Sequence, residues 1–149
     1  MEEQGTPKYT VGFIFSSVNL NHVLLVHKQK PEWQKGRVNG VGGKVESGES
    51  PEECISRETK EETCLAIPPK DWVLVGRIVQ QAGDVAVFAA EYGGALADAK
   101  KGDHEEVEWF PVASLPSTVI DNLKWMVPLA QQALQGAQSF QFTLKYLHK

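Results

Sequence analysis

Residues 57–65, RETKEETCL, gather three carboxylates, Glu58, Glu61 and Glu62, into nine positions that otherwise read as helix. A run of Glu, Lys and Arg is usually a solvated face laced by ion pairs four residues apart. Arg57 obeys that rule, with Glu53 and Glu61 both four positions away. Glu58 and Glu62 do not. Helical spacing offers Glu58 only Cys54, Ile55, Glu61 and Glu62, and offers Glu62 only Glu58, Thr59, Leu65 and Ala66. At about 100° per residue the three acids share an arc of about 100°. Like charges so placed repel one another and raise each other's pKa unless a cation sits between them. Hard oxygen ligands converging on one point suit Mg²⁺ or Mn²⁺, with water and phosphate oxygens completing the octahedron.

Such acids need a rigid element beneath them. Ser50, Pro51 and Glu53 supply an N-cap hydroxyl, a first-turn proline and a capping-box carboxylate, which predict a helix over 51–63. Gly42 and Gly43, just upstream, would let the backbone approach the acids and lend a carbonyl. Glu49, at the helix entrance, is placed to join the acids or to hold Arg57. A second helix is expected over 119–135, where Val119, Leu123, Met126, Val127, Ala130 and Leu134 recur at three- and four-residue spacing, with a kink or restart at Pro128. Strands are predicted at 9–15, 22–28, 72–79, 84–92 and 106–110, the first two joined as a hairpin through SSVNLN. In SFQFTLKYL the alternation of Phe140, Phe142, Leu144 and Tyr146 with polar neighbours marks a half-buried strand. Many strands and two helices, out of regular alternation, give an α+β sandwich.

The chain of 149 residues, 42% hydrophobic and 23% charged, fits one domain over 1–149 with a single core. A formal net charge of -4 removes the broad basic field that polymeric nucleic acid or an anionic membrane surface requires. Cys54 and Cys64 lie ten residues apart along the helix, roughly 15 Å, too far to pair, so both are read as reduced core thiols of a cytoplasmic protein. The N-terminus lacks a basic start followed by an apolar core, and no apolar run reaches the roughly 20 residues of a membrane span.

From Gly43 to Leu65 the sequence GKVESGESPEECISRETKEETCL resembles the Nudix box, Gx5Ex7REUxEExGU with U aliphatic, matching at Gly43, Glu49, Arg57, Glu58, Glu61 and Glu62. Two positions depart: Thr59 stands where an aliphatic residue is usual, and Cys64 where the family has glycine. A left-handed glycine position costs a residue with Cβ about 1 kcal/mol or more, so either the turn has changed or strain is carried. The resemblance implies a mixed central sheet with the box helix on one side and the C-terminal helix on the other, an α/β/α sandwich. It also implies attack of metal-activated water on a phosphorus of a nucleoside diphosphate derivative. In that reading Glu58 and Glu62 are metal ligands with the Gly43 carbonyl, and Glu61 is a ligand or the water-activating base. Arg57 orients the acids through Glu49, and Glu105 or Glu106 adds a further carboxylate. The ion is Mg²⁺, with Mn²⁺ as a substitute.

Beyond the box, KYTVGFIF, HVLLVHKQK, GRVNGVGGKVESGES, EWFPVASLP and DNLKWMVPLA resemble the MutT-type branch, which converts nucleoside triphosphates, often oxidised purines, to monophosphates. By that likeness Asn39 and Asn122 meet the base with Asp121 beside them, Thr10 lines the pocket, and Lys28 and Lys44 meet the polyphosphate. Paired carboxamides can serve both edges of a purine. Val38, Gln80, Gln81 and Val119 stand where the animal oxidised-purine enzymes carry aromatics, and among His27, Trp33 and Phe88 the latter two read as structural. His104 reads as a surface histidine. The implied partner is a small nucleotide, bound by a monomer or a homodimer. The alternatives are a pyrophosphatase for a nucleotide sugar or dinucleotide, and a domain that binds nucleotides without cleaving them; the intact acids argue against the last.

Overall fold

The computed structural model describes residues 5–102, 104–136 and 138–147. Strand β1 (Tyr9–Ser16) turns back into β2 (His22–His27), with Ile14 opposite Leu24 and Phe15 opposite Val23, so the expected hairpin forms. Strands β3 (Val38–Asn39), β4 (Val73–Val79), β5 (Val85–Tyr92), β6 (Val107–Pro111) and β7 (Phe142–Lys145) complete one sheet, ordered β3-β2-β1-β5-β4-β7, with β6 also pairing β2. The long β1–β5 pairing is parallel, from Tyr9 against Val85 to Ser16 against Tyr92, whereas β4–β5 is antiparallel. The sheet is therefore mixed.

Strand alternation sends successive residues to opposite faces. Phe13, Phe15, Val23, Leu25, Val87 and Ala89 pack with Leu123, Met126, Val127 and Ala130 of helix α2 (Leu123–Gln135). On the other face Ile14, Leu24, Val26, Ala86, Phe88 and Ala90 pack with Ile55 of helix α1 (Pro51–Thr63) and with Leu65, Ile67 and Trp72. The result is the α/β/α sandwich, one helix per face. Neither described helix is long and apolar enough to cross a membrane.

Three expectations change. The C-terminal helix starts at Leu123, because Val119 is used as extended backbone: it bridges Val38, and the Ile120 N–H donates to the Val38 carbonyl at 3.0 Å. That helix also runs through Pro128 without a restart; Pro128 is exposed, so the Lys124 carbonyl it frees lies where water can reach it. Strand β3, only two residues long, carries no periodic signal, and it is fixed by pairing with Val26 and His27.

The two ends of α1 behave differently. At the start the capping box forms in full, with the Glu53 N–H donating to Ser50 Oγ at 3.0 Å and the Ser50 N–H to Glu53 Oε1 at 2.9 Å. At the end Cys64 adopts φ 66° and ψ 3°, its N–H bonded to the Lys60 carbonyl at 3.1 Å. The turn has kept the family's left-handed geometry and a side chain carries it. Cys64 is exposed, which corrects the reading of it as a core thiol, while Cys54 is fully buried as expected. Thr59 is also fully buried, and its hydroxyl finds no partner, since the Thr63 hydroxyl takes the Thr59 carbonyl instead. Replacing Thr59 by Val keeps the shape and removes an unpaired buried oxygen, and should raise stability by about 1 kcal/mol. Cys64→Gly should add about 1 kcal/mol by relieving the positive φ. Urea unfolding of both variants checks this; a midpoint that stays put or falls would refute the strain assigned to that position.

Candidate active site

The loop before α1 is pressed flat against β1. Thr10 N–H donates to the Gly43 carbonyl at 2.8 Å, and Gly12 and Val41 exchange backbone bonds at 2.7 and 3.1 Å. A Cβ at Gly42, whose φ is 146°, would stand 2.1 Å from the Thr10 carbonyl oxygen, and one at Gly43 would stand 2.6 Å from Glu58 Oε1. Glycine at both positions is what allows strand, loop and acid to share this space. The Gly42 N–H then donates to Glu62 Oε2 at 3.0 Å.

Arg57 organises the acids. Its Nε and Nη2 grip Glu49 at 2.7 and 3.0 Å, Nη1 reaches Glu58 at 2.9 Å and Glu61 at 3.2 Å, and Nη2 also donates to the Lys44 carbonyl at 3.2 Å. The predicted Arg57–Glu61 pair is present. The Arg57–Glu53 pair is not among the ion pairs of the described residues, because the capping box uses the Glu53 carboxylate. Glu58 was expected to lack a cation, yet the adjacent Arg57 folds back onto it. Spacing along a helix face misses such a neighbour. The Arg57 hydrogen bonds hold the Glu49 carboxyl down to about 2. Burial raises Glu58 despite Arg57, and burial pushes Glu62 up to about 8 against the Gly42 N–H and the charge of Lys28.

Two half-buried acids held at raised pKa, flanked by a loop with no side chain at Gly43, form a hard-oxygen donor set that fits a divalent ion. Among the described residues no three His, Cys, Asp or Glu side chains are already gathered around one point, since Glu58 and Glu61 both lean on Arg57. An ion would compete with Nη1 for them. The Gly43 carbonyl already accepts the Thr10 N–H, with the Thr10 hydroxyl 3.4 Å away, leaving limited capacity for a further partner.

Glu105 sits beside this cluster in a different role. Its carboxylate accepts from Lys28 Nζ at 3.1 Å and from the Gln29 and Lys30 N–H groups, the latter at 3.2 Å. Burial works to raise it, but those donors hold it below the usual range. These contacts make Glu105 an anchor for Lys28 and the following loop. Glu106 is exposed and lies 3.6 Å from Lys101.

A cavity of about 470 Å³ runs from Lys28, Gly43 and Lys44 past Thr10, Asn39 and Gln34 to Asn122 and Met126. It brings together all the substrate-site residues read from the sequence except Asp121, which lies 3.6 Å from Arg37 and 88% exposed. Asn39 is engaged by Gln34, Nδ2 to Oε1 at 3.0 Å, and by its own neighbour, the Gly40 N–H, at 2.8 Å. Asn122 Oδ1 is buried without a partner in the cavity wall. Thr10 turns its hydroxyl toward the Gly43 carbonyl and Cys54, behind the glycine-loop end of the cavity. Gln34 went unread in the sequence, and Trp33, read as structural, lines the cavity while 67% exposed. Phe88 belongs to the core, His27 pairs with Glu108 at 2.9 Å, and His104 is exposed.

The sequence and fold have known counterparts. The chain is 28% identical over 128 residues to the oxidized purine nucleoside triphosphate hydrolase of Danio rerio, covering 80% of this chain and 78% of that one. It is 31% identical over 133 residues to the human 8-oxo-dGDP phosphatase NUDT18 and 29% over 104 residues to the NAD-capped RNA hydrolase NudC of Vibrio atlanticus. These alignments take in 87% and 66% of this chain but only 41% and 36% of theirs. An ADP-ribose pyrophosphatase structure from Streptococcus suis superposes with a TM-score of 0.71 at 16% identity, over 95% of this chain and 100% of that one, a likeness of fold. The Nudix domain model matches residues 6–131, which take in β1 through β6, the glycine loop, all of α1 and most of α2, and the chain belongs to the Nudix family of hydrolases.

Proposed function

We propose that the chain hydrolyses a nucleoside triphosphate to nucleoside monophosphate and pyrophosphate with Mg²⁺, an oxidised purine such as 8-oxo-dGTP being the leading substrate. One observation carries this reading: a single cavity runs from Lys28 and the glycine loop, against whose Gly42 and Gly43 the Glu62 and Glu58 carboxylates rest, to the carboxamides of Asn39 and Asn122. Glu58, Glu61, Glu62 and the Gly43 carbonyl would hold Mg²⁺, with Mn²⁺ able to replace it. When bound, such an ion neutralises phosphate oxygens and lowers the pKa of the attacking water. Arg57 acts as a positioning residue, fixing Glu58 and Glu61 while Glu49 fixes Arg57. Lys28, steadied by Glu105, brings positive charge to the polyphosphate. At the far end Asn122 Oδ1, buried and unpartnered, is the acceptor for a base N–H, and Asn39 offers its amide.

A second reading is a pyrophosphatase for another nucleoside diphosphate derivative, favoured by the likeness to NAD-capped RNA hydrolases, although the chain spans less than half of their length. Product analysis on a broad nucleotide panel with Mg²⁺ separates the two: pyrophosphate and monophosphate support the first, and two monophosphates from a joined substrate support the second. Release of neither from any member would leave a nucleotide-binding domain. Three outcomes are expected of the acids. Glu62→Gln should lower kcat by orders of magnitude with its unfolding midpoint no lower than wild type; unchanged turnover would remove Glu62 from the site. Adding Mg²⁺ should raise Tm by mass action in wild type and far less in Glu62→Gln, read by differential scanning calorimetry. Arg57→Lys, which keeps the charge and loses the fork, should cost about 10- to 100-fold in kcat with KM little changed.

A further inference from the structure

A second cavity, of about 460 Å³, adjoins the first at its far end. The two share Trp33, Gln80, Ile120 and Asn122, whereas Lys28, Gly43 and Lys44 line only the first. The outer chamber thus borders the first cavity along these four residues, on the side away from Lys28 and the glycine loop. Arg37, Asp121 and Tyr146 are its own contribution.

Two features define what it would take. Trp33 and Tyr146, 67% and 48% exposed, are large aromatic surfaces left open to solvent at the same chamber. Tyr146 is not a loose tail residue: its N–H donates to the Val79 carbonyl at 2.9 Å, at the end of β4 and next to Gln80. It follows β7 and lies outside residues 6–131 that the family model matches. Exposed aromatic faces stack planar rings with little regard to their substituents. The charged lining is one pair, Arg37 with Asp121, so the chamber has no net charge to attract a second polyphosphate, unlike the inner cavity with Lys28 and Lys44.

We propose that the outer chamber, through Tyr146 and Trp33, receives an uncharged planar group carried on the far edge of the base, so that the chain accepts nucleotides whose base bears an aryl substituent. The inference rests on the reading above, in which the phosphates lie at the acids and the base beside Asn122. A base so placed presents its exocyclic edge to the four residues that the cavities share. The chamber then decides how large that edge can be.

The test measures binding of nucleoside monophosphates by isothermal calorimetry, which requires no hydrolysis, so failure of the triphosphatase reading leaves it intact. The probes are AMP against N⁶-benzyl-AMP and GMP against N²-benzyl-GMP. In wild type one benzylated member of these pairs should bind about tenfold more tightly than its parent, a stacking contribution of ordinary size. That ratio should persist in Tyr146→Phe and fall to about one in Tyr146→Ala. If Tyr146→Ala fails to fold, the same ratio in Trp33→Ala decides. Weaker binding of both benzylated ligands, or an advantage that survives loss of the aromatic ring, overturns the proposal. So does a Tyr146-dependent gain for diadenosine diphosphate with none for the benzyl compounds, which would give the chamber to a second nucleoside.

Discussion

The guanidinium of Arg57 is the point on which the site depends. One planar group satisfies Glu49 twice, touches Glu58 and Glu61, and ties α1 to the loop through the Lys44 carbonyl. Its five donors in a rigid fork make this possible; an ammonium could not hold four partners in fixed directions. Without that positive charge, three carboxylates and a fourth from the helix entrance would repel one another across a partly buried face. The arrangement leaves Glu62 outside the web. Among the described residues its carboxylate accepts a hydrogen bond from the Gly42 N–H alone, and burial raises it to about 8. A carboxyl whose folded pKa exceeds its ordinary 4.5 contributes stability at low pH that is lost as pH rises toward the folded value. The fold therefore carries a cost at Glu62 that a bound cation would offset.

That web works only because the glycine loop lies against β1. The loop has no room for side chains at Gly42 or Gly43, and its backbone is bonded to Thr10 and Gly12, residues of the longest parallel pairing in the sheet. The rigidity of the sheet is passed through these bonds to the Gly43 carbonyl and the Glu62 carboxyl. Cys54 and Thr10 fill the space behind the carbonyl with a buried thiol and hydroxyl.

How much of this was legible in the sequence follows from the range of the interactions. The helix and its cap depend on neighbours within four residues, so Ser50, Pro51 and Glu53 announced α1 correctly. Strands β1 and β5 have dense apolar runs and were read to within one residue. The failures were tertiary. Val119 continued the apolar spacing of α2 but was drawn into a bridge with Val38, a residue 81 positions away that no local pattern reveals. Glu53 was claimed by two local rules, and the capping box won because it uses backbone donors that otherwise have no partner. Glu105 was recognised as a useful acid; that its carboxylate would be committed to Lys28, Gln29 and Lys30 depended on a strand pairing between distant segments.

The two ends of the cavity are held by different physics, which bears on how such a site can change. At the acid end every group is tied to at least one other by charge or by backbone bonds, so a substitution propagates through Arg57 to several partners at once. At the far end the wall is built from a short turn around Trp33, a helix start at Asn122 and the chain after β7, held mainly by short-range backbone bonds. None of those backbone bonds involves Arg57 or the acids that it holds. On the proposed reading, chemistry would be fixed where the interactions are cooperative, and the choice of base where they are nearly independent.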